Sequence, residues 1–216
     1  MQCFDSLLRH RRKALGLLHK PRGIRKMKRF GRIAAVIMCT CALLWFSVDS
    51  KAMVLLNVQS ATQLKSNWCW AACALMAGRY KVPSTMVNQN SIVQYIKGSS
   101  TNNDPGSIYE TESATEYVTN NTYTLSSTVI FFPLSFAQIK TSISNLYPDI
   151  ALVRGSGTGH YYVIHGYDEA YSTQEVYLID PRDGEHITVS WSDFTSGNWA
   201  DPRPYKFAVY FNNYNQ

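Results

Sequence analysis

The chain of 216 residues carries 21 Lys and Arg and 15 Asp and Glu, a formal net charge of +6. The excess belongs to residues 1–52, whose net charge is +10, while residues 53–216 carry −4. A nucleic-acid-binding domain needs a basic face of its own, so this distribution argues against a nucleic-acid partner. The later segment is long enough to bury one hydrophobic core, which predicts a single domain after the leader.

Residues 1–52 have the three zones of an export signal. Residues 1–32 are basic, residues 33–48 are apolar, and the small residues Ser50 and Ala52 follow in a small-x-small pattern. The apolar zone is shorter than the roughly 20 residues that span a bilayer comfortably. We therefore expect a secreted or periplasmic protein. The alternative is an uncleaved signal anchor, which is the one route by which a membrane becomes a partner.

The first half of the domain has mainly helical periodicity. A short strand is predicted at residues 53–58. From Asn67 onward, apolar residues recur at helical spacing as far as Gly78, which we expect to end the helix. Asn67 or Ser66 can cap this helix, and Ser84 can cap a second one.

The middle of the chain is predicted to alternate between loop, helix and strand. A loop rich in Gly, Ser, Asn and Asp covers residues 98–112, and a short helix follows at 113–118. Residues 122–132 have strand character, and Ser135 can cap a further helix.

The last third of the chain reads as strands separated by turns. Strands are predicted at residues 150–154, 160–167, 176–180, 187–191 and 206–211. A Gly-rich turn lies at 155–159, and residues 181–184 form a second turn of the Pro-x-Asp-Gly type. Helices come first and an antiparallel meander second, and this segregation predicts an α+β fold.

Two cysteines remain if the leader, with Cys3, Cys39 and Cys41, is removed. These are Cys69 and Cys73, which are four residues apart on the predicted helix and therefore poorly placed for a disulfide. Cys69 lies in the first turn, where unpaired N–H groups and the helix dipole favour a thiolate. Cys69 is therefore the candidate nucleophile, whereas Cys73 is expected to be a packing residue.

Gln63 and the tryptophans surround this cysteine. Gln63 lies six residues before Cys69 on the loop that leads into the helix, where its amide and the Cys69 N–H can bind a developing oxyanion. Trp68 is expected to line the cleft and Trp70 to lie in the core.

The domain offers three histidines as a general base: His160, His165 and His186. His160 begins a strand directly after the Gly-rich turn, where a catalytic group is both exposed and rigidly held. His165 falls on the opposite face of that strand among apolar residues, so we expect a hydrogen-bonded core residue. His186 follows a tight turn and is expected to face solvent.

An acidic residue is needed to orient the imidazole. Asp180 ends the strand that can return as a hairpin beside His160. Asp168 lies at the far end of the histidine strand, roughly 26 Å away at ~3.3 Å per residue. Asp183 lies inside a turn, where its carboxylate is expected to bond local backbone.

Together these residues resemble the papain superfamily. The matching pieces are Gln63, Cys69-Trp70 on a helix, Gly159-His160-Tyr161-Tyr162-Val163-Ile164, Gly166-Tyr167-Asp168 and Leu178-Ile179-Asp180-Pro181. They are most similar to the compact bacterial branch, which holds plant-pathogen papain-like effector proteases and bacteriocin leader-processing peptidases. The resemblance covers most of residues 54–211.

This resemblance implies a papain-like fold, with a helical part whose central helix carries the cysteine, packed on a C-terminal antiparallel sheet. It implies that Cys69 is the nucleophile, His160 the base, Asp180 the orienting group and Gln63 the oxyanion residue. It implies a polypeptide substrate and no cofactor or metal, and we expect a monomer. The chain departs from papain in its short Cys-to-His separation of 91 positions and in using Asp where papain-type enzymes often use Asn.

Three other interpretations are open. The same site can serve a cell-wall amidase or an acyl transferase, since an exported enzyme meets peptidoglycan. The fold can also be kept as an inactive peptide-binding module, although the complete set of four polar residues argues against lost catalysis. A metal site built from Cys69, Cys73 and a histidine is disfavoured because the cysteine spacing is poor for zinc.

Overall fold

Residues 53–127, 133–170 and 172–211 are described by the structure, which is a computed structural model. These residues form five helices and seven strands. The helices are α1 (Cys69–Lys81), α2 (Gln89–Lys97), α3 (Ile108–Val118), α4 (Phe136–Ser144) and α5 (Trp191–Ser196). The strands are β1 (Met53–Leu55), β2 (Leu125–Ser127), β3 (Asp149–Arg154), β4 (Gly159–Asp168), β5 (Glu175–Ile179), β6 (His186–Ser190) and β7 (Tyr205–Phe211). The α+β prediction is confirmed.

All seven strands belong to one antiparallel sheet. The order across it is β2-β7-β3-β4-β5-β6, and β1 pairs with the far end of β4, so that Met53 lies opposite Asp168. The register places His160 opposite Val153 of β3 and Ile164 opposite Leu178 of β5. Because β5 returns antiparallel to β4, the residue that follows β5 is brought back toward the start of β4.

Helix α1 is the centre of the helical part. Its first ten residues are all buried, because the helix packs against α3 and against β4. Alanine at four of these positions allows the neighbouring elements to approach closely. The predicted central helix that carries the cysteine is therefore confirmed.

The predicted end of this helix is wrong. Helix α1 continues past Gly78 to Lys81, and Gly78 serves the packing instead. A Cβ atom at Gly78 would lie 2.5 Å from Cγ1 of Val118, which belongs to α3. The glycine is thus required by the contact between α1 and α3 and not by a change of backbone direction.

Two predicted helix starts are also wrong. Helix α2 begins at Gln89 with Asn88 as its cap, and not at Ser84, because Asn88 and Ser91 form a reciprocal capping box. Helix α3 begins inside the predicted loop, where Ser107 and Glu110 form another capping box. The short helix α5 was not predicted.

The remaining elements agree with the sequence patterns to within a few residues. Ser135 caps α4 as predicted, and the five C-terminal strands lie where the alternation placed them. Of the strand predicted at 122–132, residues 125–127 form β2, while residues 128–132 lie outside the described part of the chain. The leader, residues 1–52, also lies outside it. In the described segments no helix has the length and apolar character needed to cross a bilayer.

Candidate active site

Cys69 is the first residue of α1 and is buried, with 8% of its surface exposed. Neither Asn67 nor Ser66, the two candidate caps, fills this role: the residue before the helix is Trp68, and no side chain caps it. The first-turn N–H groups, which have no acceptor within the helix, therefore remain available to a negative charge at or near the Cys69 sulfur.

The side chain of Asn67 is used elsewhere. Its Nδ2 donates to the carbonyl oxygen of Asn103 over 2.7 Å, and the indole Nε1 of Trp68 donates to the carbonyl oxygen of Asn102 over 2.8 Å. These two bonds fasten the loop after α2 to the entry of α1. Trp68 is fully buried and does not line the cleft, contrary to the expectation, whereas Trp70 is a core residue as expected.

His160 and Asp180 form the second part of the site. The imidazole Nε2 lies 2.8 Å from Oδ1 of Asp180, and both side chains are buried. The hairpin of β4 and β5 produces this contact, because Asp180 follows the last residue of β5. Since Nε2 is taken by Asp180, Nδ1 is the ring nitrogen left to interact with the side chain of Cys69, which is close enough to raise the pKa of the imidazole.

The surroundings favour a protonated His160. Burial alone would lower the pKa of its imidazole, but the hydrogen bonds and negative charges of Asp180 and Cys69 outweigh burial and raise this pKa above its ordinary value. Burial would likewise raise the pKa of Asp180, yet the bonds from His160 and Arg182 lower it well below its usual range. Asp180 is therefore an ionised partner of the imidazole at neutral pH.

Arg182 holds the other oxygen of Asp180, a role that the sequence patterns did not reveal. Its Nε and Nη2 donate to Oδ2 over 2.8 and 2.5 Å, and its backbone N–H donates to Oδ1 over 2.9 Å. Nη2 also donates to the hydroxyl of Tyr162 over 3.0 Å. The turn of residues 181–184 was recognised in the sequence, but a turn signal does not show which acid an arginine in it will bind.

Tyr162 extends this arrangement into a network. Its ring meets the His160 ring edge to face, with 4.7 Å between centroids. Its hydroxyl donates to Oδ2 of Asp201 over 2.8 Å, and Arg203 holds the same carboxylate through Nε and Nη2. His160 is therefore held by a hydrogen bond at Nε2 and by an edge-to-face contact with a buried aromatic ring.

A cleft of about 920 Å³ opens at the sulfur and the imidazole. Its helical wall consists of Ser66, Asn67, Cys69 and residues 105–110. Its sheet wall consists of Leu152, Arg154, residues 157–161, Arg182, Arg203 and Phe207. The hydroxyl of Tyr161 donates to the carbonyl oxygen of Gly106 over 3.2 Å and so joins the two walls.

Comparison with known families agrees with this geometry. Residues 55–206 match the family described as Peptidase_C39 like, which lies in the papain-like cysteine peptidase clan. The chain belongs to this family. No curated protein matches the chain. The family assignment makes this C39-like protein a cysteine peptidase and confirms the resemblance to the papain superfamily.

Gln63 does not point a free donor into the cleft of the C39-like peptidase. Its Nε2 donates to the carbonyl oxygens of Lys65 and Ser66 over 2.9 and 2.8 Å. Its backbone N–H donates to the carbonyl oxygen of Pro181 over 2.6 Å, which ties the loop before α1 to the residue after Asp180. The oxyanion role of Gln63 stays a prediction and requires one amide hydrogen to leave its loop carbonyl.

The competing side chains of the C39-like peptidase lie elsewhere. His165 is buried, and its Nδ1 lies 3.0 Å from the carbonyl oxygen of Leu56, as expected of a hydrogen-bonded core residue. His186 is exposed, but its Nδ1 lies 3.2 Å from Nε2 of His165, a contact that was not predicted. Asp183 accepts from the Glu185 N–H over 3.0 Å, as expected, and Asp168 accepts from the N–H of Ala170 over 2.6 Å.

Cys73 lies one helical turn beyond Cys69 and is fully buried. Burial, with the neighbouring charges of Cys69 and Asp180, raises the pKa of its thiol well above the usual value, so Cys73 is a packing residue and a poor nucleophile. Neither Cys69 nor Cys73 forms a disulfide within the described residues. Within the described segments no group of three or more His, Cys, Asp or Glu side chains is arranged to hold a metal ion.

Proposed function

We propose that this protein is an exported endopeptidase that hydrolyses polypeptides through Cys69, His160 and Asp180. The observation that carries the proposal is the orientation of one ring. His160 uses Nε2 to bind a buried carboxylate and therefore presents Nδ1 to the sulfur at the start of α1. This order of sulfur, imidazole and carboxylate is the arrangement that activates a nucleophile through an adjacent, oriented base.

Acylation follows from these positions. The Cys69 thiolate attacks the carbonyl carbon of the scissile peptide bond, and the carbonyl oxygen becomes an oxyanion. When the intermediate collapses, the C–N bond breaks and His160 Nδ1 gives its proton to the leaving amine. The product is a thioester on Cys69 and a neutral imidazole.

Deacylation reverses the proton transfer. The neutral His160 removes a proton from water, and the resulting hydroxide attacks the thioester carbonyl. The C–S bond then breaks, the substrate leaves as a carboxylic acid, and the sulfur returns as the thiolate beside the imidazolium. Asp180 accepts a hydrogen bond from Nε2–H throughout the cycle. This bond leaves Nδ1 as the nitrogen that exchanges its proton and stabilises the positively charged ring.

The oxyanion is stabilised at the start of α1. The backbone N–H of Cys69 is one of the helix donors without an intrahelical acceptor, and the helix dipole adds a positive potential there. Gln63 is the second donor in this proposal. Gln63 lies six positions before Cys69. When substrate binds, its Nε2 gives up one hydrogen bond to a loop carbonyl oxygen and donates to the oxyanion instead.

The test of this activity is hydrolysis of denatured casein by the protein without residues 1–52, with and without a thiol-directed epoxide. We expect epoxide-sensitive cleavage that is lost in Cys69→Ala and kept in Cys73→Ala, the matched control on the same helix. Casein cleavage that survives in Cys69→Ala would reject the proposal. Release of muropeptides from peptidoglycan without casein cleavage would replace it with a cell-wall amidase.

Export rests on the sequence of residues 1–52 and has a separate test. The full chain is expressed in a bacterial host, the periplasm and medium are collected, and the N-terminus of the recovered protein is sequenced. We expect the mature chain to begin at Met53, after the small residue Ala52. Recovery of the intact leader in the membrane fraction would favour a signal anchor.

A further inference from the structure

The sheet wall of the cleft is unusually rich in arginine. Of the charged residues lining the cleft, Arg154, Arg182 and Arg203 lie on the sheet wall, and Glu110 lies on the helical wall. Glu110 is already neutralised, because its Oε1 lies 2.6 Å from Nζ of Lys97. A second, smaller pocket beside the cleft shares Arg182 and Arg203 with it and also contains Asp201, the partner of Arg203.

Some guanidinium groups of these arginines are not fully bonded to the protein's own carboxylates. Arg182 binds Asp180 through Nε and Nη2, its two Nη1 hydrogens have no acceptor among the described residues, and half of its side chain is exposed. Arg154 is exposed, and no carboxylate of the described residues lies within ion-pair distance of it. The wall therefore carries one uncompensated positive charge and several free guanidinium donors.

The arginines cluster at the His160 end of the cleft. Arg154 pairs in register with Gly159, the residue before His160. Nη1 of Arg203 donates to the carbonyl oxygen of Thr158 over 3.2 Å, and Arg182 holds the carboxylate that orients the imidazole. Because His160 must reach the leaving nitrogen, the substrate segment C-terminal to the scissile bond passes along this end.

We propose that the sheet wall is a subsite for an acidic side chain within the first few residues C-terminal to the scissile bond, with Arg154 as its specificity-determining residue. This inference rests on the proposed peptidase activity and names its substrate class: polypeptides with Asp or Glu just after the cleavage point. A guanidinium binds a carboxylate through parallel N–H donors, which selects it over a neutral amide of the same shape.

The test uses a proteome-derived peptide library and maps the cleavage sites of the protein without residues 1–52. Asp and Glu should be enriched in the first three positions after the cut. For a cleaved peptide, replacing that Glu by Gln should lower kcat/KM about fivefold, the scale of one solvent-exposed charge pair, and this difference should shrink as salt is added. Arg154→Gln should abolish the difference, and Arg154→Glu should reverse the preference toward Lys.

Lys206→Gln is the matched control. It removes one positive charge from the neighbouring strand β7, where Lys206 is exposed and does not line the cleft. The preference should persist in this variant. If Lys206→Gln and Arg154→Gln lost the preference for Glu over Gln to the same extent, the subsite would be overturned, because the preference would then depend only on the net charge of the protein. Cleavage without acidic enrichment would also overturn it, and would leave the peptidase activity standing.

Peptide capture separates the subsite from the chemistry. Immobilised Cys69→Ala protein is exposed to the uncleaved library, and the retained peptides are identified. We expect acidic peptides to be retained and to be released when Arg154→Glu is added to Cys69→Ala. Capture of acidic peptides by a protein whose wild type cleaves nothing would support the subsite while rejecting the peptidase activity. Retention that does not depend on acidic residues would reject the subsite.

Discussion

Arg182 and Asp180 are joined through Oδ2, on the side of the carboxylate that His160 does not use. The guanidinium donates to this oxygen over 2.8 Å from Nε and 2.5 Å from Nη2, while His160 Nε2 lies 2.8 Å from Oδ1. The carboxylate is thus clamped between a fixed cation and the imidazole. Arg182 is a positioning residue, because it acts on the imidazole through Asp180.

Replacing Arg182 by Gln should lower kcat/KM by about three- to tenfold, since the hydrogen bonds that hold the carboxylate are worth roughly 0.5–1.5 kcal/mol each. The loss should fall mainly on kcat. The assay uses a substrate without acidic residues, so that the arginine-lined subsite does not contribute to the difference. The loss of the Arg182 charge by itself raises the pKa of the imidazole, so the basic limb of the pH–rate profile should stay in place or move to higher pH while Asp180 keeps its position. An acid shift would mean that Asp180 has moved away from His160, and an unchanged kcat would contradict the positioning role.

Asp180→Asn should act differently on the same profile. His160 carries the proton that the leaving amine needs only below its own pKa, and Asp180 is one of the groups that raise this pKa. Without the negative charge, the basic limb should move to lower pH, and kcat/KM should fall roughly ten- to a hundredfold for the loss of a charged hydrogen bond. Asp183→Asn, in the same turn, is the control and should leave rate and profile unchanged.

The sequence predicted the residues that meet at the candidate site better than the groups that hold them in place. Cys69, His160 and Asp180 follow from local signals: a cysteine at a helix start, a histidine after a Gly-rich turn, and an acid at the end of a returning strand. Arg182, Tyr162 and Asp201 form their network only after folding, because Tyr162 and Asp201 are 39 positions apart. Residue type and spacing do not reveal such pairings.

Errors in the predicted elements have equally specific causes. A glycine after a helical pattern predicts a helix end at Gly78. The residue is glycine because α3 packs closely against this position, and no local sequence pattern reveals that contact. The start of α3 could have been found, because Ser107 and Glu110 have the spacing of a capping box. The polar composition of residues 98–112 concealed it.

Asp149 gives a prediction about stability and pH. This carboxyl is fully buried, neither of its oxygens has a hydrogen-bond partner among the described residues, and burial raises its pKa well above the ordinary value. Above the pKa of an unfolded carboxyl, the folded protein therefore keeps a proton that the unfolded chain releases. More protons bound in the folded state mean that the free energy of unfolding falls as pH rises through this window.

Asp149→Asn should remove this contribution. Urea unfolding measured from pH 4 to pH 8 should show a flatter loss of stability with rising pH than the wild type shows. Asp104→Asn changes an exposed carboxylate and serves as the control, with an unchanged slope. An Asp149→Asn variant that loses stability with pH as steeply as the wild type would mean that Asp149 is not the group responsible.

Gly78→Ala tests the contact between α1 and α3. The new methyl group would lie 2.5 Å from Cγ1 and 2.7 Å from Cβ of Val118, so one helix must shift. Overpacking of this kind costs about 1–3 kcal/mol, which exceeds the gain of up to about 1 kcal/mol from the better helix propensity of alanine.

Adding Val118→Ala opens the space, so the double variant should be more stable than the sum of the two single changes predicts. Gly157→Ala, where a Cβ meets nothing within 4 Å, is the control and should change the free energy of unfolding little. Additive effects of Gly78→Ala and Val118→Ala in urea unfolding would mean that the glycine is not required by this helix contact.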